Sequence, residues 1–506
     1  MYKLIYYSPY RLGSPSFGIL LDDALNRLKY NKEIVIIFLT CNGILERCNR
    51  NLIGSKINCI KCRIIKNATI ERYNHPRLEF KDLSEFNIID KKEIELQELP
   101  KDFVQLKRYT YKEINIGLGI VSSYISEKRN LYPAFNEKQI QLFKELLQTS
   151  ISLYEMMENV IKLYDPKELV LFNGRFSDLR VIVELASKRN LKYTTLEFET
   201  TNNPYKIYKT EFQNCLPHDV NYNVKKMKYL WNDTSKKDRD SNSYEFYQKK
   251  RNGVFTDDVV YTANQKQDLI PNTWNFDKIN VVIFNSSEDE YAAIGGEWDK
   301  NKVFDNQIQG IKWISKHYKP QPQVNITLRI HPNLSKLNYK YTNSVNHELK
   351  GLDNLYIIEP ESEISSYSLI DMADIIIVFG STIGIEASYW GKVVINLSEA
   401  YYNPLGSVYV PKTKEELFSL LDSKLKPLEN TGAKIYGNYF GQEKDVKNKV
   451  IDYDYQPINI LSKTIKIQKW ILGFSMYTKA LILLISIANY IKEIITQNNE
   501  IFTKEK

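Results

Sequence analysis

The stretch Asp374-Ile375-Ile376-Ile377-Val378-Phe379-Gly380-Ser381-Thr382-Ile383-Gly384-Ile385-Glu386-Ala387 decides the fold. Its apolar run has no polar alternation, which reads as a strand buried on both faces and therefore as part of a parallel sheet covered by helices. Small residues then turn the chain and a helix begins, predicted over 383–390. Backbone N–H groups at such a turn, with the hydroxyls of Ser381 and Thr382, offer a site for a phosphate group. Gly384 lies beside that turn, and Glu386, one helical turn on, is placed to accept hydrogen bonds from ribose hydroxyls. A plain N-cap at a tight strand–helix turn would use the same residues.

Working outward, the same alternation repeats. Strands are predicted at 281–284, 324–330, 355–358 and 393–397, with helices at 303–317 and 363–372. Thr413-Lys414-Glu415-Glu416 is a capping box opening a short helix. Toward the N-terminus, strands at 3–8, 34–39, 168–172 and 192–198 alternate with helices at 19–29, 137–163 and 177–189. The fold class is α/β: two Rossmann-like doubly wound domains facing a cleft, with a C-terminal amphipathic helical segment. The expected boundaries are 1–203, a linker with peripheral helices at 204–278, a second domain at 279–445, and C-terminal helices at 446–506.

Composition agrees with a globular chain of this size. The 506 residues suggest two to four domains. With 43% hydrophobic and 26% charged residues, and only 20 glycines and 17 prolines, wholesale disorder and collagen-like classes are excluded. A net charge of +8 is too dilute for a dedicated nucleic-acid binder, so no nucleic-acid partner is expected. The opening Met1-Tyr2-Lys3-Leu4-Ile5 runs straight into a predicted strand without a cleavage signal, so a cytoplasmic location is expected.

Ligands of open α/β sheets bind beyond the carboxyl ends of the strands, and several chemistry-bearing residues fall there. Arg329-Ile330-His331-Pro332 ends a long strand: the proline stops it, holding the imidazole at the sheet edge where it can donate to a phosphate, while Arg329 adds fixed charge. Ser286, Ser287 and Glu288 follow the first strand of the second domain as further donor-binding candidates, or as a solvated cap. In the first domain Asn173 and Arg175 are acceptor-side candidates. Glu197 and Glu199, near a strand end, are candidates for the general base that an inverting transfer requires; either would serve equally as a surface acid.

The two-domain architecture resembles the GT-B fold of many nucleotide-sugar glycosyltransferases. His-Pro followed by a Ser/Thr pair resembles bacterial transferases with cytidine-nucleotide donors, the sialyltransferase-like and capsule-synthesis (Kdo-transferase-like) families. Ser381 to Lys392 is similar to the capsule-polysaccharide group, which usually continues with Pro-Val where this chain has Val393-Val394. The resemblance covers about 280–445. It implies contacts from His331, Ser381 and Thr382 to a CMP phosphate, a nucleotide-sugar donor, and a polysaccharide or lipid-linked glycan acceptor. A CDP-glycerol-type glycerophosphotransferase, a sugar-nucleotide 2-epimerase and a non-catalytic, zinc-stabilised capsule assembly subunit remain alternatives.

Two further features stand outside that pattern. Cys41, Cys48, Cys59 and Cys62 cluster in a polar window, and four thiolates can complete a tetrahedral structural zinc site. No redox cofactor is expected. Trp470 to Ile491 is apolar but for Lys479 and a few small polar residues, and lysines flank it. This predicts peripheral attachment through 463–492 to an anionic membrane surface, at the inner face of the cytoplasmic membrane, or alternatively helices packed on the first domain.

Overall fold

Because central parallel strands bury both faces, their sequences are largely apolar, as over residues 34–39 and 281–284, while the edge strand Leu78–Asp82 carries Glu79, Lys81 and Asp82. A computed structural model describes residues 1–506 except 10–14, 88–93, 97, 201–202, 204, 255–264, 301, 337–347, 443–448, 461–462, 483 and 485–506. The first sheet comprises β1 (Tyr2–Ser8), β2 (Ile34–Thr40), β3 (Leu78–Asp82), β6 (Glu168–Phe172), β7 (Lys192–Thr200) and β8 (Ile207–Gln213), in the order β3-β2-β1-β6-β7-β8. Its pairings are parallel except β7 with β8. A two-stranded ribbon, β4 (Thr110–Tyr111) and β5 (Ile114–Asn115), lies apart. The second sheet is wholly parallel: β9 (Ile279–Phe284), β10 (Val324–Arg329), β11 (Leu355–Ile358), β12 (Ile375–Val378) and β13 (Val393–Asn396), ordered β11-β10-β9-β12-β13.

In both sheets the strand order reverses beside the first strand, between β1 and β6 and between β9 and β12. Adjacent crossovers leave toward opposite faces there and open a crevice at the carboxyl ends. The chain thus has two doubly wound α/β domains, as the apolar runs predicted. The first sheet, however, takes its edge strand β8 from beyond the expected boundary at 203. The helices Val220–Asp233 and Lys236–Arg251 then cross over to the second domain. There Tyr247 donates to the Ala433 carbonyl at 2.7 Å. Gly437 lets that ring approach, since a Cβ would lie 2.6 Å from Tyr247 Cε2.

The C-terminal stretch departs from expectation. Instead of helices throughout 446–506, the chain forms an antiparallel hairpin, β14 (Tyr455–Ile460) and β15 (Lys463–Gln468), followed by the short helix Lys469–Leu472. Trp470, Ile471, Phe474 and Ile482 are buried in the core of the first domain, Trp470 against Phe17. Burying such a side chain is worth about 1.5–3 kcal/mol, and for these four the core provides it, whereas Met476, Tyr477 and Leu484 are exposed. Among the described residues no helix is long and apolar enough to cross a membrane; 485–492 lie outside them.

Polar contacts fix this strap. The Asp22 carboxylate accepts the Val450 and Ile451 N–H groups at 2.7 and 2.9 Å. Asp454, 3% exposed, accepts from the Ile207 N–H, Lys206 and Lys449. Burial alone would raise its pKa, but these bonds outweigh it and hold the carboxyl below its usual value. Its stabilising contribution is therefore present at neutral pH and lost on acidification through that depressed pKa. Asp454→Asn should cost about 3 kcal/mol near pH 7 and flatten the acid limb of stability, as read by denaturant melts from neutral to acid pH.

Candidate functional site

The two sets of carboxyl strand ends meet. Arg175, on the turn after β6, donates to the Glu290 carbonyl beyond β9 at 3.0 Å. Trp298 donates to the His218 carbonyl at 2.8 Å. Arg129, following the helix Gly117–Lys128 of the first domain, pairs with buried Asp289 at 2.6 Å and donates to Ser287 and Asn333 at 3.0 and 3.3 Å. These contacts close a cleft between the crevices of the two sheets.

On the second-domain side, β12 delivers the predicted turn. Gly380 takes φ +78°, and a Cβ there would meet the Glu399 carbonyl oxygen at 2.8 Å, so glycine is required on both counts. Ser381 is half-buried and Thr382 exposed. Thr382 stands at the N-cap of the helix Ile383–Tyr389, yet its hydroxyl makes no capping bond, which removes the plain-cap reading of that side chain. Gly384 serves packing: a Cβ would lie 2.8 Å from Val378 Cγ2 and 2.9 Å from the Tyr402 hydroxyl. Glu386 is 5% exposed and accepts from the Tyr367 hydroxyl, so its carboxylate faces the domain interior and not a ribose at the surface.

His331 follows β10, and its backbone N–H is held by the Asn285 side chain at 2.8 Å. Its Nδ1 accepts the Asn333 N–H at 3.2 Å, which assigns the ring proton to Nε2, a donor. Burial, with the positive charges of Arg329 and Arg129, pushes its pKa down to about 4, leaving the ring neutral at physiological pH. Arg329 itself is 1% exposed and donates to the Glu359 and Ser362 carbonyls. It braces a loop and adds its charge from beneath. Ser286 is likewise committed, donating to the Phe379 carbonyl at 2.7 Å and accepting from Gln307 at 3.1 Å. Ser287 donates to Asp289 at 2.7 Å within the Arg129 cluster. Glu288 lines a neighbouring cavity of about 630 Å³ between the domains, with Tyr132, Tyr291, Trp298 and Phe304.

On the first-domain side, Asn173, at φ +54°, donates to Glu197, which also accepts the Phe198 N–H at 3.0 Å. Burial pushes the Glu197 carboxyl up to about 7, against the lowering pull of Asn173, Phe198, Arg175 and Arg50. Tyr401, beyond β13, lies in the field of both Glu197 and Arg175. The adjacent Tyr402 donates to the Ser381 carbonyl at 2.6 Å. Glu199 accepts from Thr210 on β8 at 3.0 Å. His218, beside Arg175 and Arg180, is depressed to about 3, mainly by burial. Arg175 Nε and His218 Nδ1 are buried without a hydrogen-bond partner among the described residues. Sequence reasoning missed Arg129, His218, Trp298 and Tyr401. Only His218, one of five histidines, carried a usable signal.

The cysteines also converge. Cys41 follows β2, Cys48 lies on the next loop, and Cys59 and Cys62 sit one turn apart on the helix Lys56–Arg72. Cys41 and Cys48 pack on the first domain's core despite their polar neighbours in sequence. Among the described residues no three His, Cys, Asp or Glu side chains are already gathered into a metal-holding group.

No protein family and no curated protein matches the chain. Solved structures with some likeness include Thermosulfurimonas dismutans KpsC, a beta Kdo 2,4 transferase (13% identity over 63% of this chain and 87% of that one, TM-score 0.31). The Neisseria meningitidis UDP-GlcNAc 2-epimerase bound to UDP-GlcNAc is 12% identical over 86% and 97% of the two chains, with a TM-score of 0.28. Staphylococcus aureus MnaA with UDP is 11% identical over 87% and 94%, with a TM-score of 0.27. At these scores the likenesses carry nothing about chemistry, which rests on the residues above.

The site makes one direct prediction. The His331 ring should stay neutral on acidification and protonate only near pH 4, read from its ring-nitrogen NMR signals assigned with His331→Gln. A midpoint at the ordinary value of about 6.5 contradicts this geometry.

Proposed function

We propose that this protein is a GT-B glycosyltransferase of bacterial capsular or surface polysaccharide synthesis. It would move a sugar from a nucleotide donor, of the cytidine (CMP) type, to a glycan or lipid-linked acceptor. The observation that carries the reading is Glu197, a carboxyl held by Asn173 on the turn after β6 whose pKa is raised to about 7 at the cleft. A general base works best with a pKa near the operating pH. The cytidine preference rests on the resemblance of His331-Pro332 and Ser381-Thr382 to cytidine-donor transferases.

In the proposed reaction the Glu197 carboxylate takes the proton of an acceptor hydroxyl. The acceptor oxygen bonds to the anomeric carbon, the bond from that carbon to the phosphate oxygen breaks, and the nucleotide leaves with the electron pair. Ser381, Thr382 and the neutral His331 Nε2–H would stabilise the charge growing on the phosphate, and such donors matter most where charge develops. Arg175 Nε and His218 Nδ1, buried and without a hydrogen-bond partner among the described residues, support a polar acceptor on the first-domain side, since a ligand there would satisfy both.

Because the base must be ionised, kcat/KM should rise with pH to a plateau above about 7, with no opposing limb from His331 in that range. Glu197→Gln should lower kcat by about 10²–10⁴ while the protein stays folded. His331→Ala should cost roughly 10²–10³. In thermal melts CMP or CDP should stabilise more than UDP or GDP. Stabilisation by UDP alone would replace this reading with a sugar-nucleotide 2-epimerase, and no response to any nucleotide would leave an assembly subunit.

A further inference from the structure

Four of the chain's five cysteines lie on three different elements, and the fold brings them round one small space. Cys41 leaves the end of β2. The chain then doubles back through Asn42, Gly43 and Glu46, all at positive φ, to place Cys48 before the helix Lys56–Arg72. On that helix Cys59 and Cys62 share a face, as residues three apart do. All four line a single void of about 20 Å³, whose wall also includes Glu46, Asn51 and Asn58. A space of this size holds one atom-sized guest, about one water or one ion. Asn51 donates its amide toward Cys59 Sγ at 3.6 Å, the kind of outer contact that steadies a thiolate ligand.

We propose that Cys41, Cys48, Cys59 and Cys62 bind one zinc ion as four thiolates. An all-sulfur donor set selects zinc or an iron–sulfur cluster and rejects magnesium and calcium, and a one-atom void favours a single ion over a cluster. Binding would draw the thiols inward and release their protons. The consequence is structural: the loop so held donates its Asn49 N–H to buried Asp178 at 3.0 Å, on the helix that follows the Asn173–Arg175 turn. The ion would therefore brace the first-domain wall of the cleft. This inference is independent of the donor and of the reaction.

The test uses full-length protein purified under reducing conditions without chelator. Elemental analysis should find about one zinc per chain, and cobalt substitution should give the sulfur-to-metal charge-transfer band of a tetrahedral thiolate site. Cys59→Ser should lose the metal and melt at lower temperature, and Cys215→Ser should keep both. If Cys59→Ser does not fold, the wild type still decides the matter: thiols shielded from a thiol reagent should become reactive when a chelator removes the zinc. Protein that carries no zinc as purified, takes up none from zinc chloride, and shows no chelator-dependent change in thiol reactivity would overturn the proposal. So would zinc retained in full by a folded Cys59→Ser variant.

Discussion

Arg129 is the interaction on which the cleft depends. It sits in the left-handed region just past the end of its helix. It spans to Asp289, Ser287 and Asn333, three residues beside the carboxyl ends of β9 and β10. Removing one member of such a partly buried charge pair costs far more than the pair itself contributes, because the abandoned charge keeps its desolvation penalty. The domain contact joins these polar bonds to apolar packing of Ala293 in the first domain's core and of Gly295 against Leu118, and the two crevices face each other across it.

The polar residues at this edge divide by what their side chains touch. Arg329, Ser286, Ser287 and Glu386 are buried and hydrogen-bonded within the fold. They hold β10 to its neighbouring loop, β9 to β12, the domains to each other, and the helix Ile383–Tyr389 to Tyr367. Ser381, Thr382, His331 and Glu197 are more exposed, and two of them have pKa values moved by burial in useful directions. A neutral histidine donates without demanding a counter-charge, and a carboxyl near 7 can give and take a proton. The first group gives the second its geometry, as preorganised electrostatic sites require.

Much of this was legible in the sequence. Unbroken apolar runs such as Ile375–Val378 admit few readings besides a doubly covered strand, so the central strands and the two-domain α/β class followed directly, whereas the more polar edge strands Leu78–Asp82 and Ile207–Gln213 and the C-terminal hairpin did not. Strand ends also follow, which is why His331, Ser381 and Thr382 fall at the cleft; Glu197 and Glu199 lie inside β7, in the part that runs past the end of β6 and pairs only with β8. What a strand end does not reveal is where each side chain points. Arg329 and Glu386 look like ligand contacts until the Glu359 carbonyl and Tyr367 hydroxyl are seen to take them. Arg129, Trp298 and Tyr401 lay beyond reach because their partners are distant in sequence and no local pattern encodes such contacts, and His218 offered only its rarity as one of five histidines. The C-terminal apolar run was read for a membrane because hydrophobicity states that a segment will be buried, not against what. For Trp470 the partner is Phe17 in the first domain, while Met476, Tyr477 and Leu484 of the same run remain exposed.

The central claim is that a nucleotide phosphate sits between the Ser-Thr turn and His331, with Glu197 across the cleft. A crystal structure of the protein with CMP tests this most directly. The account predicts the phosphate within hydrogen-bonding distance of Thr382 or Ser381 and of His331 Nε2, with the cleft side of Glu197 left open for an acceptor. A nucleotide seated instead in the larger cavity of about 1020 Å³ at the amino ends of the first sheet, beside Arg27, Lys192 and Lys209, would contradict it.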